Sequence, residues 1–575
     1  MVWNKKKSGW GRKSGRPVIL AALLGACATG ALAQVGSPQA PLKFRTDYLG
    51  YAANVSPRVT FTDNINLAPG DLADDEIILS TLFNGSAIFS NRRFTGLISG
   101  DLDFSYLTDD GDFRVNQDIG GASTATIADN WLYLDIAGQT SRQLIGDNAR
   151  FSANRNAARD QQANVHSFAV SPYVYHQFPN QSTGELRYRF SQVFVDDTES
   201  AASSGVNDFL NDSQTHEALA SYRSGALFDR LRFTLTAYGN ITDEDGSALL
   251  PRIEYEQGSV TAEAQYALGR SIAVSAAVGY DEIETFATRT EDVNGVPTDV
   301  ELDLFDDDLL SGFFWRAGFT ARPGRRTQVR LEYGRRYDDD FIDADIRYDF
   351  SDRLRLIAGA SRTFQTRAQS INRRFQSLQQ RTLQFADRLR QGRDEEISPK
   401  ALIDSITNVG QSQVNAQAVG IGTSNDAFVQ LNGAFDRTTV NLTASYQDTD
   451  FGFRQNEIYG VTASASRELS RRMRAYGDVF WRNADTTVDQ ATCVDRPFLF
   501  GVNPAFSAQP VEVLCAQLAF FNGQTDTVGG RIGAAYQLYK NLSVFGEYSH
   551  SERFSQVDAL EYSENTFTAG VTLDF

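Results

Sequence analysis

Apolar and polar residues alternate with a period of two along most of this chain. In "NTFTAGVTLDF" (565–575), Phe567, Ala569, Val571, Leu573 and Phe575 alternate with Thr566, Thr568, Gly570, Thr572 and Asp574. The same rhythm sets Leu231, Phe233, Leu235 and Ala237 against Arg232, Thr234, Thr236 and Tyr238, and Val440, Leu442, Ala444 and Tyr446 against Thr439, Asn441, Thr443 and Ser445. Such runs predict strands with one face on an apolar medium and the other on a polar one. Each run is about ten residues long, which is what a tilted strand needs to cross a hydrocarbon layer.

The connections between runs also alternate. Tight turns fall at "SNRR" (90), "LGR" (268), "RPGRR" (322), "SDR" (351), "FDR" (435), "ELSR" (468) and "LYKN" (538), and long polar stretches lie between them. The tight turns combine Ser, Asp or Gly with Arg or Lys, so they carry turn chemistry and a charge that keeps them in water. Short turns on one side and long loops on the other predict an all-β transmembrane antiparallel barrel of about 20–22 strands over 48–575. Residues 108–165 leave the count open, because "WLYLDIAGQTSRQLIG" reads as one strand or two. The competing architecture, a string of soluble β-sandwiches, needs linkers between domains, and no Pro- or Ser-rich linker divides this chain.

The first residues set the compartment. Lys5, Lys6, Lys7, Arg12, Lys13 and Arg16 precede the apolar run "VILAALLGACATGALA", and Ala31-Leu32-Ala33 then precedes Gln34. This predicts a secretory signal peptide at 1–33 and a periplasmic segment at 34–47. "LGAC" offers a rival cleavage that would leave Cys27 lipidated. The net charge is −18, and losing the six cations of 1–33 brings it to −24. Nucleic acid is excluded as a partner, since phosphate binding needs a basic footprint. A mean hydropathy of −0.34 does not exclude a membrane, because barrel strands give half their side chains to a polar interior. Beyond the signal, Cys493 and Cys515 share one loop-like stretch, and export to an oxidising compartment allows a disulfide between them or a pair of thiols.

With lipid on the apolar face, the opposite face lines the lumen. Arg187, Arg189, Arg232, Arg330, Glu332, Arg347, Arg353, Arg355 and Arg474 fall on it, with Glu185, Arg336 and Asp478. These charges either set up a transverse field that sorts solutes or pair across neighbouring strands. One stretch departs from period two. In 366–393, Ile371, Phe375, Leu378, Phe385 and Leu389 recur at helical spacing beside Arg367, Arg373, Arg374, Arg381, Arg388, Arg390 and Arg393. This predicts a basic amphipathic helix within a long outer loop at 366–424. It serves as a gate or plug over the mouth, drawn to acids such as Asp306 to Asp308, or it lies against solvent and lipopolysaccharide.

Catalytic and metal chemistry find little support. The chain has four histidines, His166, His176, His216 and His550. His166 and Ser171 lie close in sequence but form no nucleophile motif. The acidic clusters at 71, 304 and 338 do not space their oxygens like a calcium loop. No catalytic residue, metal site or cofactor is assigned.

The final strand ending on Phe575 resembles the last strand of outer-membrane barrels generally, where the terminal Phe belongs to the signal read by the barrel assembly machinery. "VSPRVTFTDNINLAP" (55–69) and "SFAVSPYVYHQFPNQSTGELRYRFSQV" (167–193) resemble the beta-barrel porin 2-like family, including barrels associated with PEP-CTERM and exopolysaccharide systems. Thr62, Asp63 and Asn64 match its "TDN" stretch. The resemblance implies a channel in the bacterial outer membrane, serving polysaccharide export with periplasmic partners or passive diffusion of solutes. The arginine-rich lumen adds the expectation of an anionic polysaccharide. The alternative is a barrel that transports nothing and binds glycans or lipopolysaccharide through its loops.

Overall fold

The computed structural model describes residues 48–144, 150, 152, 154–157, 162–196, 212–225, 230–245, 252–293, 296–302, 310–365, 422–450, 454–488, 490–495, 510–521 and 523–575. Residues 1–47, the acids Asp306 to Asp308 and the basic stretch from Arg367 to Arg393 lie outside them.

Period-two runs become strands throughout. They are β1 (Tyr48–Thr62), β2 (Glu76–Ser90), β3 (Phe94–Leu107), β4 (Phe113–Ala128), β5 (Leu132–Leu144), β6 (Gln162–Gln177), β7 (Thr183–Asp196) and β8 (Ser213–Arg223). Next come β9 (Leu231–Glu244), β10 (Arg252–Ala267), β11 (Ile272–Val293), β12 (Val296–Leu302), β13 (Gly312–Gly324), β14 (Thr327–Arg336), β15 (Asp339–Ser351) and β16 (Leu354–Gln365). The series ends with β17 (Gly422–Phe435), β18 (Thr438–Asp450), β19 (Arg454–Glu468), β20 (Met473–Val488), β21 (Thr525–Tyr539), β22 (Leu542–Ser555) and β23 (Tyr562–Asp574).

Neighbours pair antiparallel in chain order, and β1 pairs with β23 to close the sheet. β12 pairs with the far end of β11, whereas the near end of β11 pairs with β13. Setting that hairpin strand aside, twenty-two strands form the wall. The uncertain stretch after Trp131 gives one strand, β5. An even count returns both ends of the wall to the same rim.

That rim carries ten turns of two to seven residues, among them every tight turn predicted from sequence. The opposite, loop rim carries the long excursions. One of them holds helices α1 (Gln490–Asp495) and α2 (Val511–Phe521), joined by a disulfide between the buried Cys493 and Cys515 with a Cα–Cα distance of 5.8 Å. Closing this loop is worth about 3 kcal/mol in the chain-entropy model. Replacing both cysteines by Ser is expected to expose the helices to protease while leaving the barrel's unfolding midpoint in place. A drop in that midpoint would show that the bridge supports the wall.

Proline interrupts a ladder of the wall within two "VSP" stretches, besides Pro323 at the irregular end of β13. The β6–β7 ladder skips Ser171 and Pro172, and the Ser171 hydroxyl donates to the Tyr188 carbonyl at 3.0 Å. That carbonyl faces the position where Pro172 has no N–H to give. The β1–β23 ladder likewise skips Ser56 and Pro57. Here the lumen side is sewn by hydroxyl pairs, Ser56 to Thr572 and Thr60 to Thr568, both at 2.9 Å.

The "TDN" stretch completes this seam. Asp63 accepts from the Asn565 backbone and side chain, each at 2.7 Å. Asn64 is buried, and its side-chain amide donates to the Ser563 carbonyl at 2.9 Å and the Ala68 carbonyl at 2.8 Å. The first outer loop is thereby fastened to the last strand.

Candidate functional site

The inner wall is polar because one residue in two of every strand faces inward, and those positions carry the charges. Arg187, Arg189, Arg232, Arg330, Glu332, Arg347, Arg355 and Arg474 all take inward positions. Arg353 does not belong with them. It sits in the turn after β15 and pairs with Asp436 in the turn after β17, at 2.7 Å, so it is a rim residue.

Neighbouring strands neutralise most of these arginines. Arg187 reaches Asp135 on β5 and Glu185 on its own strand, both at 2.7 Å, with its guanidinium 3.7 Å from the Tyr173 ring centroid. Arg189 meets Glu217 at 3.2 Å. Glu332 accepts from Arg330 at 3.0 Å and faces Arg316 at 3.3 Å, and Arg316 also reaches Glu263 at 2.5 Å. Arg347 and Arg355 share Asp349. Arg531 grips Asp478. Arg474 donates to the Ser466 hydroxyl at 3.2 Å. Arg232 is exposed and makes no ion pair among the described residues. Of the two readings of the lumen charges, cross-strand pairing is the one these contacts realise.

The most enclosed pair stands near the loop rim. Arg336 donates through Nε and Nη2 to both oxygens of Asp281, at 2.6 and 2.7 Å. The rings of Phe314 and Tyr337 lie 4.6 Å from its guanidinium carbon. Gly279 makes this possible, since a Cβ there would fall 2.4 Å from the Phe314 ring.

Accessibility falls from one rim to the other. On β23 the inward Tyr562, Glu564 and Thr566 are buried, whereas Thr568, Gly570, Thr572 and Asp574 towards the turn rim are half-buried. On β10, Tyr255, Gln257, Ser259 and Thr261 are buried and Glu263 and Gln265 are more open. Two apolar clusters cover the loop-rim end. One joins Ile253, Tyr255, Ile283, Ala287, Leu310, Tyr337 and Phe364. The other joins Ile65, Leu67, Ile78, Leu107, Ala157 and Tyr562. Both draw residues from connections between strands, so those connections fold inward over the lumen.

Arg150, Ser152 and the residues from Asn154 to Ala157, between β5 and β6, are held there by polar contacts. Asn156 donates to the Ser105 hydroxyl at 3.1 Å and accepts from Asn116 at 2.9 Å, while Arg114 donates to its carbonyl at 2.8 Å. Arg155 is ion-paired with Asp101 beside the Arg58–Asp103 pair. Burial pulls the Arg155 guanidinium down, but Asp101, Asp118 and Asp103 outweigh burial and raise it overall, so the segment stays clamped by charge. Glu564 of β23 accepts from Ser152, from Asn154 at 3.3 Å and from Thr62 at 2.9 Å. One buried carboxylate thus ties the inward segment to both sides of the seam.

The outer face decides the medium. Ile98, Leu186, Val278, Val479 and Ile532 lie within strands, point outward and are all at least half exposed. Outward aromatics stand at both rims, with Trp131, Phe178, Tyr266, Phe435 and Tyr539 on the turn side and Phe61, Phe113, Phe313 and Phe554 on the loop side, and others such as Phe83, Phe168 and Phe428 lie mid-strand. A continuous apolar belt between aromatic girdles requires lipid around it. This is a bacterial outer-membrane β-barrel. Its turn rim faces the periplasm and its loop rim the exterior. Phe575 is exposed on the lipid side of the periplasmic rim, its N–H donating to the Ala53 carbonyl at 2.8 Å.

Neither a family model nor a curated protein matches the chain. Solved structures of similar shape include a mutant of the ferric enterobactin receptor from Pseudomonas aeruginosa, 10% identical over 91% of this chain and 80% of that one, with a TM-score of 0.43. The ferric-catecholate import receptor Fiu from E. coli K12 is 9% identical over 92% and 82%, with a TM-score of 0.45. A loop-deletion mutant of OmpT, an outer membrane protein of Vibrio cholerae, is 9% identical over 92% and 99%, with a TM-score of 0.27. Such scores transfer no ligand or cargo to this chain, and the architecture rests on the strand pairing itself.

The histidines all project from the outer face. His166 lies 3.0 Å from Asp196, His176 stacks on Trp131, His216 Nδ1 lies 2.7 Å from the Tyr188 hydroxyl and His550 contacts Asn565. His166 and Ser171 therefore occupy opposite faces of β6. The acids near 71 and 338 engage local partners, with Asp74 taking Asn66, Asp338 taking Arg335, Asp339 taking Arg362 and Asp340 taking Tyr333. Alternation had placed the lumen arginines, but the inward segment 150–157 carries no period and its role emerges only from its contacts.

Proposed function

We propose that the protein is an outer-membrane channel held shut on its exterior side. The observation that carries this reading is the gradient along the lumen, polar and partly open at the periplasmic end and covered by inward-folded connections at the other. A wall of twenty-two strands encloses a lumen too wide for its own side chains to fill, so closure must come from loops. The cargo we favour is a surface polysaccharide leaving the cell, in keeping with the family resemblance, and periplasmic export proteins would deliver it. Passive diffusion of polar solutes is the second reading. Because the lumen arginines are largely matched by carboxylates, their number no longer argues for an anionic cargo, and a hydrated neutral chain suits the wall equally well.

The two apolar clusters favour one other reading, a barrel permanently closed and working through its loops. Single-channel recording of the refolded mature chain in a planar bilayer separates them. Stable openings with a reversal potential near zero across a salt gradient are expected. Strong anion selectivity would restore the anionic cargo, and complete silence at all voltages would favour the closed barrel.

A further inference from the structure

The periplasmic rim has the opposite charge to the rest of the molecule. Of its ten turns, eight carry an Arg or Lys at a described position. Three of these cations have a carboxylate within reach, Arg92 with Asp129 at 3.8 Å, Arg326 with Asp352 at 4.0 Å and Arg353 with Asp436. Arg93, Arg270, Arg325, Arg437, Arg471 and Lys540 are exposed and make no ion pair among the described residues. On a chain whose net charge is −18, so many unmatched cations on one rim are a specific placement.

Their neighbours fix their depth. Arg270 follows the outward Leu268, Arg437 follows Phe435, Arg471 follows Leu469 and Lys540 follows Tyr539, and these four apolar side chains are all exposed. An outward apolar residue sits in the hydrocarbon, so a cation one or two residues further along stands at the level of the headgroups. The cations also recur around the circumference, from the turn after β2 to the turn after β21, rather than gathering on one sector.

We propose that this ring binds the phosphates of anionic glycerophospholipids in the inner leaflet of the outer membrane. An acidic periplasmic protein or polymer would need a contiguous patch on one side, whereas a lipid annulus meets every turn in the same way. Cations close to an anionic membrane surface each add attraction that falls off within a Debye length. The inference depends on the barrel's position in the membrane and stands whether or not the lumen conducts.

Lipid retention tests it. The intact mature barrel, equilibrated in mixed micelles of phosphatidylglycerol and phosphatidylethanolamine, is expected to keep phosphatidylglycerol preferentially when examined by native mass spectrometry. A variant carrying Arg325→Gln, Arg326→Gln, Arg471→Gln and Arg472→Gln, which neutralises two of the eight cationic turns (Arg472 being the neighbour of Arg471), should hold fewer phosphatidylglycerol molecules per barrel, a loss of about a quarter. Retained heat-modifiable mobility of the variant would show that it still folds. The same preference in both proteins, or none in either, overturns the proposal. Binding of poly-aspartate that requires these arginines, without any phosphatidylglycerol preference, also overturns it and points to an acidic soluble partner.

Discussion

Replacing Arg336 by Met is expected to destabilise the barrel by about 3–5 kcal/mol, because it strands a buried carboxylate. The side chains of Arg336 and Asp281 are 4% and 2% exposed, and the two hydrogen bonds between them are supplemented for Asp281 by the Ser259 hydroxyl at 2.6 Å. Without the guanidinium, Asp281 would keep one hydroxyl donor in a site roofed by Phe314 and Tyr337. The double change of Arg336 to Met and Asp281 to Leu should recover much of the loss, since removing both charges removes the desolvation problem as well. Breaking the exposed Arg353–Asp436 pair should cost no more than about 1 kcal/mol. Urea unfolding in lipid vesicles, followed by tryptophan fluorescence, compares the variants. A single-substitution cost below that of the rim pair would mean that water reaches Asp281.

The second large effect is expected at Glu564, and it is one of conductance. Substitution by Ala removes the acceptor shared by Thr62, Ser152 and Asn154, leaving buried donors that each cost about 1–3 kcal/mol to leave unmet. The segment 150–157 should then spend more time away from the lumen, and open-channel steps should become larger or more frequent. Arg155→Ala should act in the same direction by releasing Asp101, whereas Glu564→Gln keeps an acceptor and should fall in between. Unchanged step size and open probability in both Ala variants would show that this segment does not limit the pore.

The wall was legible from the sequence because lipid on one side and water on the other impose a strict choice at every second residue. That choice located β9, β18 and β23, placed Arg187 and Arg330 on the lumen face, and put the arginine-bearing turns on a common rim. It was silent about Asp135, Asp281 and Asp349 as partners, since alternation gives the face of a residue but not the register that sets its neighbour across the ladder. It misplaced Arg353, because parity continues through a two-residue turn after the strand has ended. Segment 150–157 was illegible for a different reason. Its docking depends on hydrogen bonds from Ser and Asn side chains, and these leave no periodic trace.

The seam has a consequence for how the protein reaches its final form. Thr62 and Glu564 are separated by 502 residues, and Ser56 and Thr572 by 516. Contacts of such long range carry the greatest loop-closure cost and form late. Until they do, the growing sheet keeps two unsatisfied edges that can pair with any other strand they encounter. The Pro57 interruption removes backbone bonding from one of those edges, so recognition there depends more heavily on the side chains that match. Asp63 and Asn64 add side-chain contacts to Asn565 and Ser563 at the outer end of this seam, so closing the ring replaces an aggregation-prone edge with a pairing held by more than backbone bonds.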